Sequence, residues 1–237
     1  MLHLGIQGSY REFEITLFDG EGCLKTIKET GHASSVFLNV LQKLLDSCDQ
    51  KFSDLKFISI DQGPGAFTSL RVMISYVNSF AFTKRIPLIG IDGLDAIAEE
   101  TFALLKSKNS KLKDCYIAVL LNAYNKEIYN AIYRFESNGD FELISEKCHK
   151  KPEIFLKELS ERFESEKVFF TGNGINLFKD LIHKYFNKNS IDDSCILETC
   201  SSEQVAKMGL NRFLKKENLS YELFPLYLKR QDFAVKK

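Results

Sequence analysis

Short runs of alternating hydrophobic and polar residues open the chain. Residues 2–7 and 12–18 form two such runs, separated by Gly8-Ser9-Tyr10. The turn-forming stretch 19–22 then leads into a third run that ends near Lys28. A period of two bounded by turn residues is typical of β-strands. The pattern predicts a three-stranded antiparallel meander.

The hydrophobic period changes after the meander. From Ala33 to Cys48 the apolar residues follow helical spacing, and 56–61 is then a short apolar run typical of a buried strand. Helical and strand-like segments continue to alternate along the first half of the chain. It predicts a helix over 67–84, a strand over 87–91 and a helix over 94–106.

A polar stretch at 106–111 marks a candidate boundary, after which the order of elements starts again. Strands are predicted at 115–121, 127–135, 141–146 and 168–171, helices at 152–162, 175–185 and 202–216, and an extended end at 224–229. Residues 187–200 show no interpretable pattern. The prediction is an α/β protein with two lobes, 1–107 and 108–237, whose last helix could pack back on the first lobe. The repeated order suggests an internal structural duplication.

Charge and hydropathy narrow the classes of function. The 32 basic residues balance the 32 acidic ones, so no overall field attracts the protein to RNA or to a membrane. Any RNA would then be held mostly by another chain. No apolar run reaches the length of about 20 residues that a bilayer requires, and the N-terminus lacks a leader pattern, so we expect a cytoplasmic protein. A basic cluster near the end is best explained as a solvated tail; its members are Lys215, Lys216, Lys229, Arg230, Lys236 and Lys237.

The turn Gly63-Pro64-Gly65 lies between a predicted strand and a predicted helix. Free amides at such a helix start can hold an anion, which makes the turn, Thr68 and Arg71 candidate nucleotide contacts. The turn lacks the Gly-Lys-Ser/Thr of a P-loop and the Gly-x-Gly-x-x-Gly of dinucleotide folds. A second interpretation, which we favour, is that its glycines simply permit close packing.

Two predicted helices, 33–48 and 67–84, have apolar arcs wider than a single stripe. A helix buried on one side needs only one stripe. Such a helix can be central to its own core, or it can present part of the arc to a partner protein. Two adjacent helices of this kind in a small lobe favour a partner surface.

The segment Gly63-Pro64-Gly65-Ala66-Phe67-Thr68-Ser69-Leu70-Arg71, together with the element order around it, resembles the TsaB (YeaZ) family. The match is in register over about 1–105, where a histidine, His32, opens the first helix. It continues more weakly through 122–129, 171–174 and 225–229. The resemblance implies a two-lobed actin-like ATPase fold, of the ASKHA and ribonuclease H-like class. It also implies a non-catalytic subunit that binds and activates TsaD and cooperates with TsaE in making the N6-threonylcarbamoyladenosine of tRNA.

In that family the two helices pack against TsaD, or against a second copy when TsaD is absent. The resemblance therefore places the partner contacts on both predicted helices: Phe37, Leu41, Leu45, Leu70, Met73, Ile74 and Val77. It implies contact with tRNA only through the complex and no cofactor of the chain's own. Residual ATP or ADP at a subunit interface is left open.

Several residues depart from the family pattern. Gln7-Gly8 replaces Asp-Thr after the first strand, Asn122-Ala123-Tyr124 replaces Asp-Ala-Arg, and Ser69 replaces a glycine. A neutral amide cannot supply the charge with which a carboxylate orients metal-bound water. These changes weaken independent ATP hydrolysis, and no residue is predicted to be catalytic or to bind a metal.

Three alternatives remain open from the sequence. An actin-like ATPase or small-molecule kinase acting alone would need acidic residues for Mg²⁺, and Asp61, Asp92 and Asp95 are candidates, although helix capping also explains Asp92. A metallopeptidase would need two histidines about four residues apart on a helix, but the histidines here are isolated. A homodimer with a separate role would use the same helical surface.

Overall fold

The computed structural model describes residues 1–31, 33–164, 166–186 and 196–229. His32 and the last part of the basic cluster, from Arg230 on, lie outside the described residues. The chain forms two compact units. The first unit comprises Met1–Glu100 and Thr199–Leu226, and the second comprises Thr101–Glu198 and Tyr227–Lys237.

The first unit is built on a six-stranded sheet. Its strands are β1 (Leu2–Gln7), β2 (Glu12–Asp19), β3 (Gly22–Thr30), β4 (Phe57–Asp61), β5 (Leu88–Ile91) and β11 (Leu219–Ser220). Their order across the sheet is β11-β5-β4-β1-β2-β3. The helices are α1 (Ala33–Asp46), α2 (Phe67–Lys84), the start of α3 (Gly93–Lys108) and α6 (Ser202–Lys215), with a 3₁₀ turn at Phe52–Asp54.

Strand β1 lies at the centre of the first sheet. It pairs antiparallel with β2, as the predicted meander requires, and parallel with β4. The apolar side chains of the strands, α1 and α2 form one hydrophobic core. Helix α6 approaches the sheet closely, because a Cβ on Gly5 would lie 2.2 Å from the Ser202 carbonyl oxygen and one on Gly209 would lie 1.7 Å from Ser59 Oγ. Two glycines therefore permit this contact.

The second unit repeats that topology on a smaller scale. Its strands are β6 (Cys115–Asn122), β7 (Ile128–Phe135), β8 (Phe141–Leu143), β9 (Cys148–Lys150) and β10 (Val168–Thr171), and its helices are α4 (Pro152–Arg162), α5 (Gly174–Tyr185) and the end of α3. Strand β6 pairs antiparallel with β7 and parallel with β10, as β1 pairs with β2 and β4. The two units thus share a strand arrangement, which is the relation that the repeated element order suggested.

One predicted strand is shorter in the structure, and a second strand that the pattern did not predict follows it. The run 141–146 forms β8 only as far as Leu143, and β9 then pairs with a different part of β7. The Ile132 amide donates to the Ser145 hydroxyl at 2.9 Å, in place of a carbonyl on a neighbouring strand. A side chain that competes for a ladder donor interrupts a strand, so the alternating pattern overestimated its length.

Candidate functional site

The glycine turn is packed tightly inside the first unit. Gly63, which has a φ of +101°, donates its amide to Asp61 Oδ1 at 2.8 Å, and its carbonyl accepts from the Gly93 amide at 2.8 Å. A Cβ on Gly65 would lie 2.2 Å from the Ser9 carbonyl oxygen, which itself accepts from the Ala66 amide at 2.6 Å. The turn thus joins β4 to the β1–β2 hairpin and to α3.

These contacts support the packing interpretation of the turn. Gly63, Pro64 and Gly65 are all buried, so the turn offers no open cradle for a phosphate. Thr68 and Arg71 are exposed on α2, and the Arg71 guanidinium lies 3.9 Å from the centre of the Phe67 ring. Nucleotide contact by these two residues stays a prediction.

Asp61 ends β4 in a buried polar cluster. Its side chain accepts from the Gly63 amide and hydrogen-bonds to Ser9 and Gln7, and the Cys200 thiol donates to Oδ2 at 3.9 Å. The neutral Gln7, also buried, donates to Ser9 Oγ at 3.1 Å. Burial raises the pKa of Asp61 from 3.8 to about 6. The residue that a rival ATPase would need for Mg²⁺ is therefore enclosed by protein atoms.

The other acidic candidates, Asp92 and Asp95, do not belong to a metal-binding group in the described residues either. Asp92 accepts from the Leu94 amide at 2.8 Å at the start of α3, which is the capping role considered from the sequence. Within the described parts of the chain, His, Cys, Asp and Glu side chains form no group of three or more that could hold a metal ion.

We expect the Asp61→Asn variant to differ from wild type in its pH dependence. Because the folded-state pKa of about 6 exceeds the ordinary 3.8, wild type loses free energy of unfolding as pH rises between these values. The asparagine side chain does not titrate, so the variant does not lose free energy of unfolding in this way, and its oxygen can still accept the hydrogen bond from the Gly63 amide. The advantage of the variant should grow by about 3 kcal/mol from acid to neutral pH, at about 1.4 kcal/mol per pKa unit. Urea unfolding across this range measures it, and a constant difference between the two proteins would contradict it.

The residues that the family resemblance assigned to a partner lie inside the chain's own core. Each of the following is at most 4 % exposed: Phe37, Leu41, Leu45, Leu70, Met73, Ile74 and Val77. They pack on the sheet because the six-stranded surface is wide enough to cover the inner faces of both helices. A partner could only reach other side chains of α1 and α2.

The outer face of α1 and α2 is exposed and mostly polar. We use the name helix face for six of its exposed residues: Leu38, Asn39 and Gln42 on α1 and Thr68, Ser75 and Ser79 on α2. The helices are adjacent, since the Tyr76 hydroxyl donates to the Ser34 carbonyl at 2.8 Å. The Ser79 hydroxyl donates to the Ser75 carbonyl at 2.8 Å, which satisfies it within the helix. The small side chains on the α2 part of the helix face leave room for another helix to approach closely.

Sequence patterns missed how the C-terminal segment, residues 219–226, binds along α2. The Asn78 side chain donates to the Leu223 carbonyl and accepts from the Leu223 amide, both at 2.9 Å. The Gln62 side chain donates to the Phe224 carbonyl, and the Gln62 backbone carbonyl accepts from the Leu226 amide, both at 2.8 Å. β11 is too short to give an alternating pattern. The signal that could have found this contact is the pair of amide side chains near an extended end.

In the second unit, the positions that depart from the family pattern hold the loops in place. The Asn122 amide donates to Asn173 Oδ1 at 2.7 Å, and the Asn122 side chain accepts from the Tyr124 amide at 2.8 Å. A cavity of about 510 Å³ opens elsewhere in this unit, beside β9 and α4. The Lys150–Glu158 ion pair at 2.7 Å lies on its wall, and none of the predicted site residues lines it.

The chain is similar to a known protein family along most of its length. A family model described as TsaD: tRNA N6-adenosine threonylcarbamoyltransferase matches residues 27–236 of the chain. The chain belongs to this family. The match includes α1, the glycine turn, α2 and most of the second unit.

Relatives that align over most of their length are TsaB proteins. The TsaB of Buchnera aphidicola subsp. Acyrthosiphon pisum is 28 % identical over 189 residues, which cover 71 % of this chain and 80 % of that protein. The TsaB of Bacillus subtilis is 25 % identical over 196 residues, covering 83 % of this chain and 79 % of that protein. Both are named tRNA threonylcarbamoyladenosine biosynthesis proteins. The resemblance to TsaB is therefore confirmed.

A solved structure shows the same fold. YeaZ from Pseudomonas aeruginosa superimposes with a TM-score of 0.74 at 19 % identity, over 96 % of this chain and 99 % of that one. The predicted α/β fold is confirmed, and it is the fold of the TsaB (YeaZ) family. Along the described residues, no helix combines the length and apolar character needed to cross a bilayer.

Proposed function

We propose that this chain is an accessory subunit in the synthesis of N6-threonylcarbamoyladenosine in tRNA. It binds a catalytic subunit of the TsaD type through the helix face and activates it. The observation that carries the proposal is the exposed pair of adjacent helices α1 and α2, whose inner faces are fully used by the chain's own core. The relatives' names supply the pathway, and the helix face supplies a surface for the partner.

The buried polar cluster supports a non-catalytic role. An actin-like nucleotide site needs carboxylates that reach the metal-bound water or phosphate. Here the side chains of Gln7 and Asp61 both hydrogen-bond to Ser9, and both are almost fully buried. The chemistry then belongs to the TsaD-type subunit, and any ATP or ADP lies at a subunit interface rather than in a site of this chain alone.

The proposed assembly also contains a second protein partner and the tRNA. A TsaE-type subunit joins the complex, and tRNA reaches the chain only as part of it. In the absence of TsaD the same helix face pairs two copies of this chain, since a symmetric dimer uses one patch on both subunits. A cell depleted of this protein should lose threonylcarbamoyladenosine from its tRNA, and normal levels there would contradict the assignment.

The Ser79→Arg variant should weaken TsaD binding by at least about tenfold. A long arginine side chain on the helix face prevents close approach of another helix, while the exposed position leaves the fold intact. The measurement is the dissociation constant for TsaD of the same organism, by calorimetry or interferometry. Self-association by analytical ultracentrifugation, without TsaD, should weaken in parallel.

A matched control comes from α3. Ser107 is also an exposed helical serine whose hydroxyl donates to a backbone carbonyl, that of Leu104, at 2.8 Å. Ser107→Arg should bind TsaD as wild type does. Equal affinities of the Ser79 and Ser107 variants would show that the helix face is not the interface.

A further inference from the structure

Three exposed aromatic side chains surround one contact of the first unit. Phe82 is 86 % exposed, Phe224 69 % and Tyr221 60 %. Asn78 binds the Leu223 backbone through both side-chain atoms, and Phe82 lies one helical turn beyond Asn78 on α2. Tyr221 and Phe224 lie within two residues of Leu223. We call these three residues the aromatic edge.

Four exposed basic residues lie beside the aromatic edge. Lys84 is the last residue of α2 and Arg85 follows it. In the same way, Lys215 is the last residue of α6 and Lys216 follows it. Pairing of β11 with β5 places Ser220 opposite Leu88, which brings both helix ends to the same edge of the sheet. Among the described residues these four side chains form no ion pair.

The positive charge exceeds what the two helix ends need. Cations in a last helical turn interact favourably with the helix dipole, which explains Lys84 and Lys215. Arg85 and Lys216 are the residues after these turns, in left-handed conformation with φ of 53° and 58°. The exposed carboxylates of the adjoining stretch 214–222 are Glu217 and Glu222. The edge is therefore locally basic in a chain whose formal net charge is zero.

We infer that this edge binds single-stranded RNA. Aromatic faces stack on bases, and nearby lysine and arginine side chains contact the phosphates, which is the combination that holds single strands without sequence preference. The aromatic residues and Arg85 would also suit a protein partner, but three of the four basic residues are lysines, which are depleted in protein interfaces, and this favours RNA. The inference rests on the proposed function, since a tRNA-modifying assembly supplies an RNA with unpaired loops. It adds a direct contact where the overall charge alone predicted none.

The test is fluorescence anisotropy of the full chain with a labelled single-stranded RNA of about 12 nucleotides. Wild type should bind with a dissociation constant of about 10⁻⁴ to 10⁻⁶ M that weakens as salt rises. Lys84→Gln/Arg85→Gln/Lys215→Gln/Lys216→Gln should bind at least about tenfold more weakly. Its logarithmic salt slope should be shallower by up to about 3, at about 0.7 per lost phosphate contact.

The aromatic side chains and a charge-matched control are tested separately. Phe82→Ala/Phe224→Ala should bind RNA at least about fivefold more weakly, with the salt slope unchanged, because stacking is lost and charge is kept. The control removes four exposed lysines elsewhere, with Lys25→Gln/Lys111→Gln/Lys113→Gln/Lys126→Gln. It should stay within about twofold of wild type, as expected for a local rather than a net-charge effect.

Two results of the RNA titrations would overturn the RNA contact by themselves. One is binding by the charge variant that equals that of wild type or of the control, and the other is no binding by wild type at low salt. TsaD affinity is measured for the same variants, which separates this inference from the proposed function. If the aromatic variant loses TsaD but keeps RNA, the edge is a protein contact and the inference is wrong. If wild type binds RNA as expected but not TsaD, the proposed function fails on its own.

Discussion

The Val77→Glu variant is expected to unfold the first unit. Val77 has no exposed surface and lies in the core between α2 and the sheet. A buried glutamate must either lose its hydration or take up a proton, and pKa values of 8 to 9 are known for such groups. That shift corresponds to about 5 kcal/mol, comparable to the whole stability of many domains. Loss of helical circular dichroism, or a much lower urea midpoint, measures the effect.

The control for Val77→Glu is two residues away on the same helix. Ser79→Glu adds the same charge at an exposed position and should change the free energy of unfolding by no more than about 0.5 kcal/mol. A folded Val77→Glu protein that merely fails to bind TsaD would contradict the buried placement of this side chain. It would restore Val77 to the partner surface where the family resemblance placed it.

The Gly65→Ala variant should lower the free energy of unfolding by about 4 kcal/mol. A methyl group there would lie 2.2 Å from the Ser9 carbonyl oxygen and 2.8 Å from the Ser9 Cβ. Overpacking usually costs about 1 to 3 kcal/mol, and more is expected here because a backbone atom must move. The hydrogen bond from Ala66 to Ser9 would be strained with it. Chemical denaturation followed by circular dichroism gives the value.

A matched glycine tests whether the effect is steric. Gly22 begins β3, and a Cβ there would meet nothing closer than the Asp19 carbonyl oxygen at 3.4 Å. Gly22→Ala should therefore be neutral or stabilising by a few tenths of a kcal/mol, because alanine reduces the entropy of the unfolded chain. If Gly65→Ala behaves like Gly22→Ala, the turn is not the tight joint that the structure shows. TsaD binding by a folded Gly65→Ala protein would show separately whether the turn positions α2.

Helices α1 and α2 differ most from what the sequence indicated about function. Their wide apolar arcs indicated a partner surface, and the family resemblance placed it on residues such as Leu41 and Met73, yet these side chains fill the core. The pattern of a sequence reports how many sides of a helix are apolar. It does not report which neighbour covers them, and here the six-stranded sheet does so. The exposed side of α2 carries small polar residues such as Ser75 and Ser79, which a search for hydrophobic stripes does not detect.

The sequence by itself determined the element order, the α/β class and the TsaB relationship, because strands and helices have different periods and the stretch 63–71 is specific. It also determined that Gln7 cannot serve as a metal-binding carboxylate. Only the tertiary structure decided the rest. Contacts distant in sequence place the Cys200 thiol against Asp61, close the glycine turn on Ser9, and hold Leu223 against Asn78 of α2. Burial and proximity depend on which elements meet, and no local pattern records that.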